Sequence, residues 1–111
     1  MSKHNSNSVE FCFLAEPTDV NFGGKVHGGM VMKWIDQASY ACAAKWSKRY
    51  SVTVSANGIR FIRPILVGQM VTVTASIVHT GRSSMHIYVV VRARDPKEDS
   101  PVITNRCFIT F

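Results

Sequence analysis

The chain reads as an α+β protein, an antiparallel sheet wrapped around one long central helix, and three observations predict this. A proline-free stretch from His27 to about Lys48, rich in Ala, Met, Trp and Ile, is the one helix the sequence predicts. Beyond it the apolar period shifts to two, through residues 52–55, 59–63, 71–80, 85–94 and 102–111. Turn formers separate the later runs at hairpin spacing, with Gly81-Arg82 between two of them and a polar stretch at 95–101 before the last.

Taken in order, residues 1–8 are rich in Ser and Asn and are expected to form a disordered tail, leaving 9–111 as a single domain. Residues 9–14 suit a first strand, and 17–26, with Pro, Asp, Asn and a Gly pair, suit a loop. Between Met30 and Ala44 only Lys33, Asp36, Gln37 and Ser39 are strongly polar, so the helix is apolar on almost every side and is expected to be enclosed. Strands curling around it would enclose it, whereas a flat sheet would leave half of that surface wet. Pro64 closes the second strand run because proline cannot donate to a ladder. The charges at 92–99 mix both signs, as a solvated loop does.

At 111 residues and 46% hydrophobic content the chain has room for one core. A net charge of +6 favours anionic partners without naming one. The cations are spread over Lys25, Arg60, Arg63, Arg82, Arg92 and Arg94 rather than set in one helix with interleaved aromatics, which argues against nucleic acid as the partner. Three cysteines, an odd number without a CxxC, point to reduced thiols in a cytoplasm, and neither they nor His4, His79 and His86 have zinc-ligand spacing, so no metal is expected. No run approaches the roughly 20 apolar residues of a membrane span, and the N-terminus lacks a signal-type apolar stretch, so a soluble, unprocessed product without a membrane partner is expected.

Two features carry chemistry. Asp36 falls in the middle of an apolar helix, where an unpaired carboxylate would cost several kcal/mol of desolvation. It shares a stripe with Gly29, Met32, Lys33 and Tyr40, and a salt bridge to Lys33 or a hydrogen bond is the plain alternative to a catalytic role. Gly28-Gly29, at the helix start, opens backbone N–H donors at the positive end of the dipole, suited to an oxyanion or a thioester carbonyl; tight packing of the loop on the sheet is the plainer explanation of such a pair taken alone. Eight residues separate Gly28 from Asp36, about 12 Å at ~1.5 Å per residue, so one copy of the helix cannot apply both to one carbonyl. Two antiparallel copies can, which implies a site shared across a dimer. With no Gly-x-Ser-x-Gly elbow, a serine hydrolase is disfavoured; Asp36 can serve as general base on water or attack the carbonyl itself. Asn21 in the preceding loop can orient water or substrate, or simply form a turn, and His27 is expected to stand behind the reacting groups. Arg82-Ser83-Ser84 offers guanidinium and hydroxyl donors to a nucleotide phosphate, or forms a plain polar hairpin.

The run Asn21-Phe-Gly-Gly-Lys-Val-His-Gly-Gly-Met-Val-Met-Lys-Trp-Ile-Asp36-Gln-Ala resembles the signature of hotdog-fold acyl-CoA thioester hydrolases of the bacterial short acyl-CoA hydrolase type. Residues 52–55, 60–68 and 81–85 resemble the same family in the same order. The resemblance implies a hotdog fold and hydrolysis of fatty acyl-CoA to free acid and coenzyme A, the coenzyme being part of substrate and product rather than a resident cofactor. It implies Asp36 as the catalytic acid, Asn21 assisting from the partner subunit, and the Gly28 and Gly29 amides polarising the thioester. Arg60, Arg63, Gly81, Arg82, Ser83 and Ser84 would lie near the nucleotide end of coenzyme A. Homo-oligomers, dimers or trimers of dimers, are implied as well. Asn57 departs from the family, where an acid is usual, and the chain stops at Phe111 where similar proteins continue a few residues. A non-catalytic acyl-CoA sensor on the same fold is the alternative; a hotdog dehydratase lacks a family-like His and acid pair here.

Overall fold

Alternating side chains in the second half of the sequence build one sheet. The computed structural model describes residues 7–19, 23–48, 55–98 and 100–111. Its strands are β1 (Ser8–Leu14), β2 (Ser55–Phe61), β3 (Met70–Thr80), β4 (Met85–Arg94) and β5 (Val102–Thr110), with a single long helix, α1 (Gly28–Ser47), and one 3-10 turn at Pro17–Asp19. All pairings are antiparallel in the order β1-β3-β4-β5-β2. This is the hotdog arrangement expected from the sequence. Asn21, residues 52–54 and residues 1–6 of the expected tail lie outside the described residues, while Ser8 already pairs with Ser76 in the sheet.

Between the apolar runs 52–55 and 59–63 the strand Ser55–Phe61 is continuous, because Gly58 at φ +63° takes up a register shift between Asn57 and Arg60 that other residues accommodate poorly. Ile62 and Arg63 then leave the strand, yet both donate backbone N–H bonds to Thr104 O, at 2.7 and 3.2 Å.

In β3 the inward Val71, Val73 and Ala75 are buried while Thr72 and Thr74 are half-buried on the outer face. Ile87, Val89 and Val91 of β4 and Cys107 and Ile109 of β5 continue the inner face, and Val31, Ile35, Ala38, Cys42 and Ala43 of α1 close over it. Phe13 and Trp34 meet edge to face with ring centres 4.8 Å apart. The far half of α1 is fastened to the start of β1: Cys42 Sγ donates to Asn7 O at 3.5 Å and Lys45 Nζ to Ser8 O at 3.1 Å.

The helix is not enclosed within one chain. It packs on β3, β4 and β1, and Gly28, Gly29, Lys33, Asp36, Gln37 and Tyr40 remain exposed along one stripe. Lys33, Asp36 and Gln37 converge on this stripe at 100° per residue, while Ser39 faces inward with the apolar side.

Candidate active site

The loop entering α1 is pinned from the other side of the chain. Val26 N–H donates to Ile65 O at 2.8 Å, and Lys25 pairs with Leu66 in an isolated bridge. The helix therefore begins at a defined place, beside the end of β2. Its N-cap, His27, makes no side-chain capping bond, and no acid occupies the first turn. Met30 and Val31 both donate to His27 O, at 3.0 and 3.1 Å, so the amides of Gly28 and Gly29 precede the first intrahelical bonds and point out of the helix end.

Among the described residues, a methyl group added at Gly29 would meet nothing within 4 Å, and one at Gly28 would only graze Phe61 at 4.0 Å. Packing among the described residues therefore gives no steric reason for either glycine. Bare backbone at a positive helix end, reachable from outside, suits an approaching anion or carbonyl oxygen.

Asp36 stands two turns further along the exposed stripe, between Lys33 and Tyr40. The burial foreseen from an enclosed helix does not exist in the single chain, because Asp36 is on the outward side; any desolvation of its carboxylate has to come from a second copy or a ligand. Ser39 Oγ, fully buried, donates to Asp36 O at 3.0 Å and so faces inward while the carboxylate faces out.

The six other expected residues do not converge with these groups in one chain. Arg60 lies opposite Arg106 on the strand pair β2–β5, on the face of the sheet away from α1. Arg63 borders a separate recess of about 240 Å³ with Pro64, Arg94 and Glu98. Gly81, Arg82, Ser83 and Ser84 form the β3–β4 turn, closed by Gly81 N–H to Ser84 O at 2.9 Å. A Cβ at Gly81 would stand 2.8 Å from Ser84 Oγ, so this glycine serves the tight turn. Arg106 sits opposite Val90 of β4, five residues from Met85 beside the turn, about 16 Å at ~3.3 Å per residue. Arg60 and the turn are therefore well apart along the strands of one chain.

All three cysteines are unpaired, Cys12 exposed and Cys42 and Cys107 buried. Burial raises the Cys42 thiol, opposed in part by a backbone hydrogen bond from Ile77 and by Lys45, and pushes Cys107 up to about 11. Burial holds both thiols back from the reactive thiolate form. Among the described residues no group of three or more His, Cys, Asp or Glu side chains could hold a metal ion.

One polar residue escaped the sequence reading. Asn105 is 2% exposed and its Oδ1 has no hydrogen-bond partner among the described residues. A bulge between Arg92 and Val91 in the β4–β5 register buries Thr104, whose Oγ1 donates to Val91 O at 3.2 Å, and leaves Asn105 on the inner face opposite Val91. An Asn in an otherwise apolar inward series was the available signal, but the bulge that sets its phase was not legible.

Sheet order, the exposed Gly28–Asp36 stripe and the matching family model agree: the chain belongs to the thioesterase superfamily, whose model matches residues 23–100. It is 34% identical over 99 residues to protein VdlD of Helicobacter pylori, covering 89% of this chain and 57% of that protein. It is 38% identical over 87 residues to human cytosolic acyl coenzyme A thioester hydrolase, covering 78% of this chain and 23% of that protein. The chain thus spans little more than half of the first relative and under a quarter of the second. A solved hexameric acyl-CoA thioesterase without ligand superposes with a TM-score of 0.89 at 29% identity, covering 93% of this chain and 66% of the other.

Proposed function

We propose that this chain hydrolyses acyl-CoA thioesters to free carboxylic acid and coenzyme A at a site completed by a second copy of itself. One observation carries the reading: a single exposed stripe holds both the glycine-opened start of α1, whose N-cap His27 makes no side-chain capping bond, and Asp36, about 12 Å apart. Antiparallel docking of two such stripes sets the Gly28-Gly29 amides of one subunit against Asp36 of the other. The amides would hold the thioester oxygen as it gains negative charge. Asp36 would take a proton from the attacking water, or attack the carbonyl carbon and form an anhydride that water opens; in both routes the C–S bond breaks and the thiol of coenzyme A leaves. Asn21 is assigned to orient water or substrate from the partner subunit.

The names of the relatives support the substrate class, and the solved hexamer supports assembly beyond one chain. Arg60, Arg63 and the 81–84 turn are assigned to the nucleotide end of coenzyme A, contributed from different subunits. No resident cofactor or metal is assigned. Three unpaired cysteines favour a reducing, cytoplasmic setting, and no helix among the described residues is long and apolar enough to cross a membrane.

The test is thiol release from a panel of acyl-CoA chain lengths by wild type, Asp36→Ala and Gly29→Val. Both variants are expected to lose hydrolysis, Asp36→Ala by a factor of about 10² to 10⁴, with the fold kept. Mixing the two inactive variants and allowing subunit exchange should recover about a quarter of wild-type activity, since each mixed dimer regains one intact site. An unchanged rate in Asp36→Ala rejects its role; no recovery on mixing rejects the shared site. Acyl-CoA binding by wild type without thiol release would make the chain a sensor rather than an enzyme.

A further inference from the structure

Two histidines without ligand spacing in the sequence meet on the face of the sheet away from α1. On β3 the inward series Val71, Val73, Ala75 and Ile77 would, at period two, carry His79 onto the inner face as well. A register shift between Ile77 and His79 inserts Val78 as an extra residue and turns His79 outward instead, directly opposite His86 of β4. His86 is on the outward side of its own strand, because its neighbour Ile87 is fully buried under the helix. The two rings stand with centres 5.3 Å apart and planes 50° apart, His79 exposed and His86 half-buried. A third strand holds the pair: Thr110 Oγ1 of β5 is 3.2 Å from His86 Nδ1.

The separation of the rings is that of two imidazoles sharing one metal ion. A zinc–nitrogen bond of about 2.1 Å puts the metal about 3.2 Å from the centre of each ring, so two rings at a tetrahedral angle have centres about 5.2 Å apart. Each ring turns about its own metal–nitrogen bond, which accommodates the tilt. The hydrogen bond to Thr110 occupies Nδ1 of His86 and leaves Nε2 as the coordinating atom, as when an outer partner fixes the orientation of a ligating ring. Imidazole nitrogens select zinc, nickel or copper over magnesium and calcium, which take oxygen ligands. With two protein ligands the remaining positions fall to water, so an ion here exchanges with solvent rather than serving as a permanent structural centre.

We propose that His79 and His86 form a two-histidine site for a divalent transition-metal ion of the zinc type, which ties β3 to β4 beside the 81–84 turn and lies apart from the Gly28–Asp36 stripe of α1. The site does not depend on the chain being a hydrolase.

Calorimetric titration of the full chain with zinc chloride tests it, with thermal melts alongside. Saturable binding of one ion per chain is expected, together with a melting midpoint that rises with zinc concentration, because an ion bound by the native state alone stabilises that state. His79→Ala and His86→Ala should each weaken binding at least tenfold and remove the rise in midpoint, and magnesium should produce neither effect. Thr110→Val keeps both imidazoles but loses the Nδ1 partner and should lower zinc affinity about tenfold. His79→Gln, at an exposed position, supplies the answer if an alanine variant does not fold. Absence of saturable zinc binding, or full affinity in both His79→Gln and His86→Ala, overturns the proposal. So does a loss of binding that follows Cys12→Ser or His4→Ala instead, which would assign the ion to another group, and so does magnesium binding as tight as that of zinc.

Discussion

The sheet has two unlike halves. Under α1, the strands β3 and β4 present Val71, Val73, Ala75, Ile87, Val89 and Val91, all buried, and the helix answers with Val31, Ile35, Ala38 and Cys42. Toward the β2 edge, Ile59 and Phe61 are 40% and 56% exposed although they share the apolar character of the covered half. The same physics of apolar burial is finished on one side and unfinished on the other. The candidate catalytic groups line the seam between them, on the stripe of α1 that the chain leaves open. Stability is therefore expected to reside in the covered half and chemistry at the seam, completed when a second copy covers it.

Substitutions can break or sharpen this contrast. The largest effect is expected from Asp36→Asn at the seam: a loss of about 10² to 10⁴ in thioester hydrolysis with the urea midpoint of unfolding unchanged, read by thiol release and circular dichroism. A fall in stability equal to that of a core variant would erase the distinction. Next comes Ile35→Ala, 1% exposed in the parent, which should cost about 2–5 kcal/mol of unfolding free energy by urea titration. Phe61→Ala, on the open half, is expected to cost less than 1 kcal/mol in the monomer yet to shift sedimentation toward smaller species. Gly29→Ala sharpens the comparison further, because alanine meets nothing among the described residues and suits a helix better by up to about 1 kcal/mol; the variant should be slightly more stable and less active.

The smallest effect concerns the thiols. Only Cys12 should react with a disulfide reagent in the native protein, with Cys42 and Cys107 reacting on unfolding. Cys107 is pushed up to about 11 from 9.0, so the native state holds its proton longer than the unfolded chain does. Its contribution to stability is complete below pH 9 and is lost as pH rises from 9 through about 11. Thermal melts across that range should fall less steeply in Cys107→Val than in wild type.

Much of this was legible in the residues alone, for a local reason. Period-two alternation in 71–80 and 85–94 depends only on neighbours along the chain, and the strands match those limits to within a residue. The helix ran from His27 to Lys48 in the reading and does so in the structure, with His27 as N-cap and Lys48, at φ 59°, as the left-handed C-cap. The spacing of Gly28 and Asp36 also led to the proposal of two helices at one thioester, because helical rise is a constant. What only the tertiary structure decided is which surfaces meet. Strand order put β2 at the edge beside β5 and left Ile59 and Phe61 uncovered; bulges reset the phase at Val78 and Thr104; pairing between residues 46 positions apart set Arg60 against Arg106. Such contacts join residues remote in sequence through register and bulges, and no periodicity within a single strand encodes them.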